Sequence, residues 1–204
     1  MKSYPMMLQI ENKQVAMIGG GAIAVRKVKR LLQSRAQVTV IAPDIDPELY
    51  RLYKANEIRW KKKMFEPIDL VGAFLIFAAT NSRDVNEAVE YAAGPDQLVN
   101  VIDNKHGGNF HVPASVTRGQ LTISVATNGA SPGLARNIKN ELAERYNEEH
   151  VRYLQFLDDI RYYVTKKLEL NSNEKNAILS EVTKAKYIDL QEQRIFYNEL
   201  SHIS

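Results

Sequence analysis

Through the first hundred residues, short apolar runs alternate with stretches whose apolar positions recur every three or four residues. Residues 14–18 (QVAMI) are apolar from Val15 onward, as expected for a strand covered on both faces. After Gly19–Gly21, Val25, Val28 and Leu31/Leu32 return at helical spacing with Arg26, Lys27, Lys29 and Arg30 between them. Residues 37–42 (QVTVIA) read as a second strand stopped by Pro43. In 58–62, Ile58 and Trp60 alternate with Arg59 and Lys61, the pattern of a half-exposed strand. Residues 74–78 form a fourth strand, and Asn81 or Ser82 caps a helix through about Ala93 with Val85, Ala88, Val89 and Ala92 on one face. Gly94-Pro95-Asp96 ends that helix, and 98–102 (LVNVI) supply a fifth strand. This alternation predicts a doubly wound parallel sheet.

The grammar then changes. Residues 110–112, 114–118 and 120–126 are closely spaced strand-like runs, the last two joined by a hairpin at Arg118-Gly119-Gln120. Ser131-Pro132 starts a helix in the usual order, cap then proline, with Leu134, Ile138, Leu142 and Tyr146 as its stripe. Residues 151–168 and 174–200 read as two further amphipathic helices separated by Asn171-Ser172-Asn173. The expected fold is α/β: a Rossmann-type sheet domain (1–113), a small dimerisation segment of strands plus helix (114–146), and a C-terminal helical domain (147–204). The strand edges after Phe110 need cover, and the tail stripes are long for so small a core, so a homodimer is expected.

Composition narrows the chemistry. The 204 residues include no cysteine, which removes disulfides, thiolate metal sites and a cysteine nucleophile. The longest apolar run is too short for a membrane span, and Met1–Glu11 does not resemble a secretory signal, so a cytoplasmic protein is expected. Residues 141–204 hold 9 basic and 12 acidic side chains against 18 and 12 in residues 1–140, so the first part suits an anionic ligand. The acidic tail offers no basic recognition helix, and no nucleic-acid partner is expected. His106, His111, His150 and His202 form no helical metal pair, so no resident metal is expected.

Gly19-Gly20-Gly21-Ala22-Ile23-Ala24 fits G-x-G-x-x-A directly after a strand and opening a helix. There Gly19 permits the tight turn, Gly21 lets backbone approach a pyrophosphate, and Ala24 keeps helix and strand close. The helix amides then meet the phosphates. Asp44, at the end of the second strand, is the acid placed to reach a ribose hydroxyl or else to cap a turn. No Arg or Lys lies between Gln37 and Asp46 to receive a 2′-phosphate, which favours NAD over NADP.

Further motifs extend this pattern. Met17-Ile18-Gly19-Gly20-Gly21 is followed by Ala24-Val25-Arg26-Lys27, then by Val40-Ile41-Ala42-Pro43 and Ala78-Ala79-Thr80-Asn81 with Val85-Asn86. Val99-Asn100-Val101-Ile102-Asp103, Phe110 with Pro113, Arg118-Gly119 and Ala130-Ser131-Pro132 with Leu134-Ala135-Arg136 complete the series. Over residues 1–146 the chain resembles the precorrin-2 dehydrogenases, including the dehydrogenase module of siroheme synthases; the helical tail matches less well.

The resemblance implies a homodimeric enzyme that oxidises precorrin-2 to sirohydrochlorin with NAD. It implies Asp103 as the catalytic residue, and Pro43, Thr80 and Asn81 beside the glycine loop and Asp44 as the cofactor contacts. For the polycarboxylate substrate it points to Asn128 and Ser131 at a helix start, with Arg118 and Arg136 flanking. His106 and Ser124 are second choices near the chemistry. Asn128-Gly129 stand where family members commonly have two glycines. The alternatives are a bifunctional dehydrogenase and sirohydrochlorin ferrochelatase, or a non-catalytic module that senses NAD(H).

Overall fold

The computed structural model describes residues 3–102, 104 and 106–201, the last by its backbone alone. The chain divides between Val112 and Pro113 into two compact units.

The first unit is built on five parallel strands in the order β3-β2-β1-β4-β5. They are β1 (Gln14–Ile18), β2 (Gln37–Ile41), β3 (Arg59–Lys61), β4 (Leu75–Ala78) and β5 (Leu98–Val101). The central strand shows why an unbroken apolar run was needed. Val15 and Met17 point into one core and Ala16 and Ile18 into another, because successive side chains leave opposite faces. The first core packs on α1 (Ala22–Gln33) through Ala24, Val28 and Leu31, and on α2 (Pro47–Lys54) through Leu49 and Leu52. The second packs on α3 (Arg83–Ala92) through Val89 and on the 3₁₀ turn Pro67–Leu70 through Leu70. Ser82 caps α3, its side chain accepting from the Val85 amide at 3.4 Å. α2 carries its own start signal, Asp46 accepting from the Glu48 amide at 2.9 Å with Pro47 in the first turn.

The second unit has two parts. β6 (Ala114–Arg118) and β7 (Leu121–Val125) pair antiparallel around the Gly119 turn, and α4 (Pro132–Arg145) packs against them. α5 (Glu148–Lys166), α6 (Ser172–Glu181) and α7 (Leu190–Ser201) enclose a separate core of Phe156, Ile160, Val164, Leu168, Val182, Tyr187, Phe196 and Leu200.

Two expectations change. Residues 110–112 are not a strand: the Phe110 carbonyl accepts from the Asn100 side chain at 3.0 Å, and a side-chain tie replaces a ladder. Residues 174–200 are not one helix. The chain turns over 182–189, where a short 3₁₀ turn buries Tyr187, and Asp189 accepts from the Gln191 amide at 2.7 Å to start α7. The turn lets Val182 and Tyr187 enter the same core as Phe156, which a straight helix would spread along its length.

Candidate functional site

The chain leaves β1 toward β2 and β3 on one side and later returns to β4 and β5 on the other. The carboxyl ends of β1 and β4 therefore flank the point where strand order reverses, the place where such sheets take their ligands. Gly19–Gly21 sit there. Gly19 has φ +113°, and a Cβ on it would lie 2.4 Å from the Ala79 carbonyl oxygen, so only glycine lets the β1 and β4 ends approach. Gly21 differs: a Cβ there meets nothing within 4 Å. Protein packing places no demand on Gly21, and the space beside it is open. It occupies the N-cap of α1 without a side-chain cap, which leaves the helix-start amides facing that space. Ala24 is fully buried against the sheet. An open cradle ending in uncapped amides fits the pyrophosphate of a nicotinamide dinucleotide, with Gly21, Ala22 and Ile23 as backbone donors.

The other wall comes from the β4–α3 turn. The Thr80 hydroxyl donates to Asn86 Oδ1 at 2.7 Å, the Thr80 amide donates to the same oxygen at 3.2 Å, and Asn86 Nδ2 donates to the Thr80 carbonyl at 3.1 Å. Asn86 is buried, so these three hydrogen bonds lock the turn that presents Thr80 and Asn81. Thr80, Asn81, Val101, Ile102 and Asn104 line a cavity of about 350 Å³ at the ends of β4 and β5. Beyond β5, Asn109 accepts from the Val99 amide at 2.8 Å and donates to the Gln97 carbonyl at 2.8 Å, holding the return segment against the sheet. Asp103 lies outside the described residues. His106 is exposed, its amide donating to Asn104 Oδ1 at 3.0 Å.

At the end of β2, Pro43 and Asp44 are exposed, and Asp44 leaves the turn-capping to Asp46. Parallel pairing of β2 with β3 brings Lys62 to 3.9 Å from the Asp44 carboxylate. A cation that sequence distance hid therefore stands beside Asp44.

In the second unit, Ser131 caps α4, accepting from the Leu134 amide at 3.1 Å, and Thr127 closes the preceding turn through the Ser131 backbone. Asn128 and Gly129 both take positive φ, +49° and +79°, and asparagine is among the residues that tolerate this region best. The departure from two glycines therefore leaves the turn intact. Ser124 is exposed on β7 opposite Ser115. Arg118 lies 3.7 Å from Glu148, and Arg136 is exposed on α4.

Asn86, Asn100 and Asn109 act as braces, and of these only Asn100, a lone asparagine inside the apolar run of β5, carries a signal in the sequence. Among the described residues no cluster of three His, Asp or Glu side chains is arranged to hold a metal, and no helix is long and apolar enough to cross a membrane.

Comparison with known proteins agrees with this geometry. Residues 6–114 match a family model described as NAD(P)-binding, 118–145 one described as sirohaem biosynthesis protein central, and 151–196 one described as SirC C-terminal domain. The precorrin-2 dehydrogenase of Priestia megaterium is 35% identical over 97% of this chain and 98% of its own length. That of Bacillus subtilis (strain 168) is 38% identical over 71% of this chain and 86% of its own. A solved structure titled SirC, precorrin-2 dehydrogenase, superimposes with a TM-score of 0.87 at 34% identity, covering 98% of this chain and all of that one.

Proposed function

The chain belongs to the precorrin-2 dehydrogenase family, and from that membership we propose that it oxidises precorrin-2 to sirohydrochlorin with NAD as hydride acceptor. The observation that carries the reading is the opening of α1, where Gly21 clears a space that no protein atom fills and uncapped amides face it. A dinucleotide whose pyrophosphate lay there would supply, on its nicotinamide, the carbon that receives the hydride. The residues of this chain do the rest. Gly21, Ala22 and Ile23 hold the pyrophosphate through their amides. Asp44 accepts from a ribose hydroxyl and repels a 2′-phosphate, with Lys62 moderating that repulsion. Thr80 and Asn81, held by Asn86, line the side of the crevice next to the reacting ring.

Loss of hydride must be accompanied by loss of a proton. Asp103, two residues beyond β5, is the group proposed to take it on its carboxylate, with His106 and Ser124 as second choices. In the second unit, Arg118, Arg136 and the turn Asn128–Ser131 are proposed to meet substrate carboxylates through guanidinium groups and amides. The same unit is proposed to build a homodimer, since α4 buries only Ala135 of its own residues and leaves Leu134 52% exposed. Cytoplasmic location is part of the reading, because a chain without cysteine gains no disulfide from an oxidising compartment.

An anaerobic assay with precorrin-2 and either NAD or NADP, followed by Fe²⁺ or Co²⁺, tests the whole reading. NAD-dependent sirohydrochlorin formation with no metal-dependent second phase is expected; turnover that persists without dinucleotide would refute it. Calorimetry on Gly21→Asp tests the cradle alone. The variant is expected to fold and to lose NAD binding, because its carboxylate occupies the pyrophosphate space; unchanged affinity would move the nucleotide elsewhere.

A further inference from the structure

A second cavity, of about 410 Å³, opens on the α1 side of the same sheet. Its floor is Leu75 and Phe77 of β4, with Phe110 packed edge-on against Phe77 at 5.6 Å between ring centroids. Leu8, Ile10 and Val112 close its sides. One face of α1 forms the remaining wall. Ile23, Lys27, Leu31 and Ser34 recur there at helical spacing, and Arg26 and Arg30 stand on the flank.

Chemistry sets this cavity apart from an ordinary packing defect. It is apolar inside, yet three cations border it: Arg26, Lys27 and Arg30. None of the three pairs with a carboxylate among the described residues. Lys27 is half-buried, its ammonium 5.2 Å from the centroid of the Phe77 ring. Burial pushes that ammonium below its ordinary pKa, and the nearby Arg30 and Arg26 add repulsion. A half-buried cation without an anionic partner, beside two more, is a costly arrangement that a bound anion would relieve. The volume lies in the range of small-molecule sites and suits an apolar body of one or two fused rings or a medium alkyl chain.

We propose that this cavity is a binding site for a small amphipathic anion, an aryl or alkyl carboxylate or sulfonate whose apolar body rests on Phe77 and Phe110 and whose head meets Lys27, Arg26 and Arg30. It stands independently of the proposed dehydrogenase activity, because none of its three cations belongs to the dinucleotide cradle. Ile23 is shared in a limited sense: it lines the cavity and lies in the first turn of α1, where the cradle ends. Occupancy could therefore be sensed at the start of α1, which makes an effector of nucleotide binding the natural role.

The test uses the intact protein and 8-anilinonaphthalene-1-sulfonate, followed by fluorescence. Saturable binding of one probe per chain is expected, with displacement by decanoate. Lys27→Gln should weaken the probe about tenfold, as expected for loss of a hydrogen bond to a charged group. Ser34→Trp, an exposed change that fills the mouth, should abolish probe binding; both variants should keep their circular-dichroism spectra and bind NAD. Saturating NAD should move probe affinity by a few-fold at most. Absence of saturable binding, equal affinity in Lys27→Gln, or full competitive displacement by NAD would each overturn the site. So would binding that appears only on dilution to a smaller species, because the cavity would then be covered by a second copy of the chain.

Discussion

The two units solve the problem of burying a sheet in opposite ways. In the first, every strand lies in a five-stranded layer with helices on both faces, and β1 sends alternate residues into two cores. In the second, β6 and β7 make a lone two-stranded ribbon whose residues are at most half-buried apart from Val116, and its helix α4 buries only Ala135. The first unit satisfies its own hydrophobic pattern. The hairpin depends on α4 for its packing, since a two-stranded ribbon is at best marginal alone. A sheet buried on both faces makes a rigid platform, and the candidate cradle is built on it. A ribbon packed chiefly on α4 buries far less.

The largest effect expected from breaking this division concerns chemistry attached to the rigid platform. Asp103→Asn keeps size and turn preference while removing the charge and the capacity to take a proton. Turnover should fall about 10²- to 10⁴-fold with NAD affinity nearly unchanged. Near-normal turnover would pass the role to His106 or Ser124, and thermal melting of the same sample guards against an unfolded variant.

Next comes packing. Ile160→Ala, in the closed core of α5–α7, should cost about 2–5 kcal/mol by urea denaturation, because Ile160 is fully buried. Should Ile160→Ala cost no more than an exposed substitution, the helical tail has no core of its own and the contrast within the second unit fails.

A smaller effect separates buried from exposed charge. The Asp69 side chain is 1% exposed and lies 2.9 Å from Lys61 and 3.2 Å from Lys63. Burial works to raise its pKa, but hydrogen bonds from Lys61, the Glu66 amide and Lys63 outweigh it and hold the carboxyl below its usual value. With the folded pKa below the unfolded one, the stabilisation is complete above the ordinary carboxylate range. It is lost as pH falls through the lowered value. Asp69→Asn should flatten that acid limb of the stability profile and cost roughly 1–3 kcal/mol at neutral pH. Glu148→Gln, which loosens the exposed pair with Arg118, should change little.

The smallest change in chain stability accompanies the most direct test of the uncovered face. Leu134→Ser should leave the stability of the individual chain within about 0.5 kcal/mol, as for an exposed position. Light scattering at micromolar concentration should nevertheless report a lower mass than for the unaltered protein. A monomeric mass for both proteins would mean that the stripe of α4 serves no dimer.

Much of the fold could be read in the chain because its signals are local. An unbroken apolar run followed by Gly19–Gly21 and a cationic amphipathic helix has few other solutions than a buried parallel strand and a tight glycine turn into the helix. Ser82 and Ser131 cap helices where a serine ahead of an apolar stripe is expected to. Asp46-Pro47, which starts α2, is an equally local signal. The break over 182–189 was not legible in this way. Periodicity continues across it, and only the shared core of Val182, Tyr187 and Phe156 requires the turn.

Sequence alone determined the alternation of strand and helix, the glycine turn and the caps, since each depends on backbone sterics and hydrogen bonds within a few residues. Tertiary structure decided what depends on neighbours distant in the chain. It put Lys62 beside Asp44 through the pairing of β2 with β3. It also gathered segments around residues 8–10, 23–34, 75–77 and 110–112 about one apolar cavity. Coulomb and packing energies depend on separation in space, and for these residues that separation exists only once the sheet has assembled.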